Sequence, residues 1–304
     1  MPTVSVIVNL YNGAATVAEA IDSVLAQSFA SWELLVWDDA SSDGGGGTAQ
    51  RFRDARIRYV RSEERVWLGQ ARQEAIEATS GEWVAFLDQD DVWLPRKLEL
   101  QLRRAAETPT AGLIYGRTVR FYPDGTERDY DQAHEYRLLP EGDIFRSLFT
   151  ESCYIAMSSA MFRRAAIETV GGIPAEIRMI PDYWLYTAVA RRFPAVAVQE
   201  VVCRYRMHAD SASQSAAVAV QEEALRLMDL WRGDVDEATL ARCKRYHATQ
   251  MATAEMRSPS TFARGLGRLL RDGSFGSQLL RPLRYVFHRV RRTVTTPYWK
   301  LKNL

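Results

Sequence analysis

Asp88, Asp90 and Asp91 crowd three carboxylates into four positions, directly behind the apolar run Trp83-Val84-Ala85-Phe86-Leu87. Carboxylates this close repel one another unless something positive sits among them, and hard oxygen donors suit Mg²⁺ or Mn²⁺. The plainer alternative is a polar turn in which Asp91 caps the following helix. Two further apolar runs end in complementary chemistry. Val4–Asn9 leads into Tyr11, an aromatic surface on which a base can stack, and Trp32–Trp37 leads into Asp38-Asp39. A carboxylate there can accept from the imide N–H of uracil or thymine, or from the N1–H and exocyclic amine of guanine. Singly, Tyr11 reads better as a packed aromatic and Asp38-Asp39 better as a turn. Jointly they outline a base surface, a polar partner and a cation site for phosphates.

Such residues converge only if all three runs are neighbouring strands pointing the same way, because open α/β sheets bind ligands at the carboxyl ends of their strands. The pattern supports this. A helical face (Val17, Ile21, Val24, Leu25) follows the first run, and a short polar helix precedes a third run, Ile57–Val60. A helix over Leu68–Ala78 carries Arg72 and leads into the Trp83–Leu87 strand. Strand–helix alternation of this kind predicts a Rossmann-like parallel half. Gly44–Gly47 lacks the lysine of a Walker A loop and the Gly-x-Gly-x-x-Gly order, and is read as a flexible rim loop. Leu94-Pro95 opens another helix.

Past residue 111 the pattern changes. Leu113–Phe121 with Pro123-Asp124-Gly125 predicts a hairpin, and Tyr154–Phe162 and Val196–Arg206 predict further strands, so this half is mixed. Asp182 opens a helix after the Gly171-Gly172-Ile173-Pro174 loop, either as its cap or as a functional acid. The remainder reads as helical.

The formal charge of +1 hides a segregation. Residues 257–304 hold eleven Lys and Arg against one acid, Asp272, a net of +10, leaving 28 basic and 37 acidic residues (net −9) in the rest. Leu279, Leu283, Val286, Phe287, Val290 and Val294 share a helical face interleaved with arginines and followed by Tyr298-Trp299-Lys300. That amphipathic basic pattern suits an anionic membrane surface, or a helix packed on the body with its arginines in water. Nucleic acid is disfavoured by the acidic body. Cys153, Cys203 and Cys243 lack paired spacing, which fits a reducing, cytoplasmic setting, peripheral on the inner face of the membrane if the tail engages it. No signal peptide or transmembrane run is visible.

Val4–Asn12, Trp37–Gly44, Gly69-Gln70-Ala71-Arg72 and Phe86–Asp91 together resemble the family 2 glycosyltransferases, over about residues 3–210. The resemblance implies a GT-A fold, with 1–110 a nucleotide-sugar half, 111–210 an acceptor half, and 211–304 a helical C-terminal region. It implies that Leu10, Tyr11, Asn12, Asp39, Arg72, Asp88, Gln89 and Asp91 line the donor pocket, with Asp91 next to sugar and ribose. Asp88-Gln89-Asp90 resembles the Asp-x-Asp motif, with Asp90 as direct metal ligand, Asp88 supporting it, and Mn²⁺ or Mg²⁺ as the ion. Ile180-Pro181-Asp182-Tyr183-Trp184 resembles the segment carrying the catalytic base, Asp182, although Pro181 stands where an acid is common. Tyr205–Ser211 resembles a segment whose His208 approaches metal or pyrophosphate.

The implied reaction is a single inverting displacement. A sugar passes from a nucleoside diphosphate (UDP ahead of dTDP or GDP) to the hydroxyl of a saccharide or lipid-linked acceptor, in cell-surface polysaccharide or glycolipid synthesis. Two rivals are a nucleotidyltransferase making a nucleotide sugar and a non-catalytic sugar-binding protein of the same fold. The first is disfavoured because Tyr11–Ala15 carries no basic residue, the second because all three acids are present.

Overall fold

Val4, Val6, Val8 and Leu10 alternate with Ser5, Ile7 and Asn9 along β1 (Val4–Leu10), so the strand presents two different faces. The chain continues through α1 (Val17–Leu25), β2 (Trp32–Asp38), α2 (Gly45–Ala49), β3 (Ile57–Arg61), α3 (Leu68–Glu77) and β4 (Trp83–Asp88). These form a parallel block in the order β3-β2-β1-β4. The computed structural model describes residues 2–129, 138–150, 153–207, 217–256 and 260–271. Within the block, Leu10 pairs in register with Asp38 and Asn9 with Asp88, so the strand ends are level. Tyr11, Asp39 and the acidic turn therefore leave one edge of the sheet, beside the point where strand order reverses at β1.

Next come β5 (Val92–Trp93), α4 (Lys97–Glu107), β6 (Leu113–Phe121), β7 (Glu127–Asp129), α5 (Phe145–Thr150), β8 (Met161–Arg163), α6 (Arg164–Thr169), α7 (Pro181–Ala190) and β9 (Ala195–Arg206). β8 runs antiparallel to β4 and to β6, β9 runs parallel to β6, and β5 antiparallel to β9. The expected hairpin is present as β6 with β7. Val6, Val8 and Leu10 pack with Ile21, Val24 and Leu98 in the core on one side of the sheet.

Several sequence-based expectations change. Gly44–Gly47 is not a free rim loop: α2 lies on these glycines, because a Cβ at Gly46 would overlap the Tyr59 hydroxyl and the Asp38 carboxylate. The helix expected from Leu94-Pro95 starts at Lys97, after the short β5. Tyr154–Phe162 is not one strand. A 3-10 turn at Met157–Ser159 interrupts it, with the Ser159 N–H bonded to the Ala156 carbonyl, and only Met161–Arg163 joins the sheet. Asp91 is not a helix cap, and neither is Asp182, which follows Pro181 inside the first turn of α7 behind the cap at Ile180.

Two compact units are distinguishable, Met1–Ala212 and Ser213–Leu304. In the second, α8 (Ala217–Leu230) precedes α9 (Glu237–Glu255) and α10 (Phe262–Arg271). Asp236 caps α9 by accepting the Thr239 N–H at 2.8 Å, a contact worth about 1 kcal/mol. The 2%-exposed Glu255 carboxylate meets Arg268 at 3.3 Å. His208 and the 279–304 tail lie outside the described residues.

Lys97 has no exposed surface. Its ammonium donates to Gln101 Oε1 at 2.7 Å and lies 4.0 Å over the Trp93 ring. Burial lowers its pKa to about 7 from 10.5. Because the unfolded chain then holds the extra proton between those values, stability rises as pH climbs from about 7 toward 10.5, and the full penalty of the buried charge stands below 7. Lys97→Met is expected to remove that slope, about 1.4 kcal/mol per pH unit where it is steepest. Denaturant unfolding of both proteins at pH 7 and pH 9 checks it: the variant's advantage should shrink at pH 9, and equal slopes would refute it.

Candidate active site

Leu10 ends β1 fully buried, so its side chain belongs to the core rather than to the pocket expected for it. What it offers the site is its carbonyl, which accepts the Asp39 N–H at 2.8 Å. Asn12 follows at φ 49, in the left-handed region that Asn tolerates better than most residues. Its carboxamide Oδ1 accepts the Ser42 N–H at 2.9 Å, and its own N–H donates to Ser41 Oγ at 3.0 Å. Between these two, Tyr11 stays 37% exposed, with the Arg65 guanidinium 3.9 Å over its ring.

The two aspartates after β2 divide the work. Asp38 is wholly buried: its carboxylate accepts the Tyr59 hydroxyl at 2.5 Å, Arg61 Nη1 at 2.9 Å and the Ser41 N–H at 2.8 Å. It braces the strand ends. Asp39 accepts the Val66 N–H at 2.8 Å, which folds the 62–67 loop toward Tyr11. Burial raises its pKa, against the pull of Val66, Ser62 and Arg65.

At the end of β4, Asp88 accepts Arg72 Nη2 at 2.9 Å, the arginine 4% and the aspartate 36% exposed. Burial raises the Asp88 carboxyl, Arg72 opposes it, and Asp90 and Asp182 push it further up. Gln89 is a bracket rather than a lining residue. Its Oε1 accepts the Tyr11 N–H at 2.8 Å and its Nε2 donates to the Tyr11 carbonyl at 3.0 Å, tying β1 to the acidic turn. Asp91 is 1% exposed, so its carboxylate has no surface to set beside a sugar or ribose. Its carboxylate accepts Ser158 Oγ at 2.6 Å and the Arg206 N–H at 2.9 Å. Burial, with Asp88 and Asp90 nearby, raises its pKa well above the usual carboxylate range.

The segment that carries Asp182 is held against α3. A Cβ at Gly69 would overlap the Ile177 carbonyl oxygen, so glycine there lets the 173–180 loop lie against the helix. Gln73 Oε1 accepts the Ile173 N–H at 2.8 Å, and Trp184 Nε1 donates to the Gly172 carbonyl at 2.8 Å. These contacts hold the start of α7 against the same helix that presents Arg72. Asp182 consequently acts electrostatically on Asp88 and on the Cys153 thiol, whose pKa burial raises in the first place.

Ser158 and Arg206 are the residues that sequence reasoning missed as parts of the site. Ser158 Oγ also accepts the Asp88 N–H at 3.0 Å, and Arg206 Nε donates to the Asp90 carbonyl at 2.7 Å while its other end meets Glu19. The only sequence signal was Arg206 beside Tyr205 in the Tyr205–Ser211 segment. Ser158 had none, because its role depends on a turn inside a run that reads as a strand.

The donor set suits a hard divalent cation: Asp88 and Asp90 are carboxylates in one turn, and burial, with repulsion from Asp90 added, raises Asp88. Among the described residues no three His, Cys, Asp or Glu side chains form a complete cage. The residues therefore fit an ion held by one or two carboxylates and completed by substrate phosphates and water, the usual arrangement for Mg²⁺.

The model of the family described as glycosyl transferase family 2 matches residues 5–171. The chain is 43% identical over 99 residues to the Escherichia coli UDP-Glc:alpha-D-GlcNAc-diphosphoundecaprenol beta-1,3-glucosyltransferase WfgD, covering 33% of this chain and 39% of that protein. It is 32% identical over 218 residues to TuaG of Bacillus subtilis, a glycosyltransferase assigned to teichuronic acid biosynthesis, covering 70% of this chain and 82% of TuaG. Among solved structures, the mannosyltransferase PcManGT from Pyrobaculum calidifontis, in complex with GDP-Man and Mn²⁺, superposes with a TM-score of 0.61. The match covers 99% of this chain and 83% of PcManGT at 20% identity, which speaks to fold. The nine-stranded mixed sheet with its helical C-terminal part is that of the GT-A glycosyltransferases. The chain thus belongs to glycosyl transferase family 2 and is a glycosyltransferase.

Proposed function

We propose that this enzyme moves a sugar from a UDP-linked donor to an acceptor hydroxyl by a single inverting displacement. The observation that supports this reading is the level carboxyl edge of the parallel block, where Leu10 pairs with Asp38 and Asn9 with Asp88, so that Tyr11, Asp39 and the acidic turn leave the sheet side by side. In this reading residues 1–110 hold the donor, 111–210 receive the acceptor, and 211–304 form a helical region whose tail contacts an anionic membrane surface. Tyr11 and Asp39 orient the base. Arg72 balances Asp88. Asp90 and Asp88 would hold a divalent ion, which when bound would neutralise charge growing on the diphosphate leaving group. Asp182 accepts the proton of the acceptor hydroxyl as its oxygen bonds to the anomeric carbon, the bond to the diphosphate breaks, and UDP departs on the opposite face.

The names of WfgD and TuaG support a place in bacterial-type cell-surface polysaccharide synthesis, with a sugar on a polyprenyl diphosphate as acceptor. No helix among the described residues is long and apolar enough to cross a membrane. Work at the inner membrane face by peripheral attachment accords with both. A thermal-shift screen of UDP, dTDP and GDP, with and without Mn²⁺, followed by their sugars, is the direct test. UDP with Mn²⁺ should give the largest rise in Tm. No response to any nucleoside diphosphate would refute the donor site, and a larger response to GDP would reassign the base.

A further inference from the structure

Trp67 is 50% exposed, whereas the six other described tryptophans are at most 9% exposed. Its neighbour Leu68 is 39% exposed, so two large apolar side chains stand together in water. Adjacent exposed apolar groups of this kind mark interaction sites more often than isolated ones do. The residue is anchored through its backbone, and its ring meets a cation. The Trp67 carbonyl accepts the Ala71 N–H at 3.0 Å as α3 begins, and the Arg178 guanidinium lies 5.3 Å over the ring. Arg178 in turn sits on the loop that Gly69 and Gln73 clamp against α3. An exposed aromatic face beside a cation is an arrangement that suits an amphipathic, partly anionic ring.

Its place decides which substrate. Val66, one residue earlier, donates its N–H to Asp39, so Trp67 follows directly on the loop that borders the base surface. The Trp67 ring itself meets Arg178, four residues before Asp182 in the chain. We infer that Trp67 and Arg178 form the acceptor subsite: the sugar's C–H face rests on the indole, and the diphosphate attached to that sugar is read by the guanidinium. This rests on the glycosyl-transfer reading above and names the acceptor surface for it.

The test is isothermal titration calorimetry on the full chain saturated with UDP and Mn²⁺. The probes are an α-linked N-acetylglucosaminyl diphosphate bearing a short alkyl chain, and methyl N-acetylglucosaminide. Trp67→Ala should weaken the diphosphate probe by about tenfold or more, as truncated aromatic anchors do, while Trp67→Phe stays within about threefold of the native chain. Arg178→Gln should weaken the diphosphate probe and leave the methyl glycoside unchanged. UDP affinity should be the same in all three variants. The inference is overturned if Trp67→Ala binds the probe as the native chain does, if the native chain binds neither probe, or if Trp67→Ala loses UDP, which would move the ring into the donor pocket. A native chain that binds the probe through Trp67 yet transfers no sugar would instead count against the catalytic reading alone.

Discussion

Asp182→Asn is expected to bind nucleoside diphosphate as the native enzyme does and to lose transfer by about 10²–10⁴-fold, the usual worth of a positioned general base. The asparagine keeps the shape of the side chain. Its carboxamide oxygen can still accept the Tyr183 N–H, which Asp182 Oδ1 takes at 2.8 Å. The start of α7 should hold, because Pro181 and the cap at Ile180 are untouched and the Gln73 and Trp184 contacts lie elsewhere. What the variant lacks is an acceptor for the hydroxyl proton. Donor titration and single-turnover rates measured on the same sample separate the two properties. A rate within a few-fold of the native enzyme would place the base elsewhere.

Asp90→Ala is expected to abolish the gain in UDP affinity that Mn²⁺ confers, a loss of about tenfold or more and so at least about 1.4 kcal/mol. The neighbouring acids have other duties. Asp88 is engaged with Arg72, and Asp91 is sealed behind the turn by Ser158 and Arg206. Asp90 fastens the turn through its carbonyl, which any residue supplies, so removing its carboxylate should spare the fold. Titrating UDP into native and variant protein, each with Mn²⁺ and with a chelator, gives the comparison. An undiminished Mn²⁺ effect in the variant would remove Asp90 as the ligand.

The parallel half was legible because each of its strands is a local pattern: an apolar run, turn residues, then a helix with a 3.6-residue face. Val4–Leu10, Trp32–Asp38 and Trp83–Asp88 appear within a residue of where their composition places them. Legibility faded where a residue's role is set by partners distant in sequence. Tyr154–Phe162 has a strand's composition, yet Ser158 is spent on the Asp88 N–H and the Asp91 carboxylate, which a regular strand would not present together. The glycine run reads as flexible, yet Tyr59 and Asp38 need the space that side chains there would fill.

By itself, then, the sequence determined the family, the sheet edge and the residue types gathered there, since those follow from short-range pattern and spacing. Only the tertiary structure divided the acids by role. Asp38 and Asp91 are withdrawn into hydrogen-bonded burial as braces, Asp39 is nearly buried on the Val66 N–H, and Asp88 and Asp90 remain partly exposed at the sheet edge. That division could not be read in advance. Whether a carboxylate is buried with donors or left facing a cleft depends on Ser41, Tyr59, Ser158 and Arg206, whose proximity exists only once the sheet has closed.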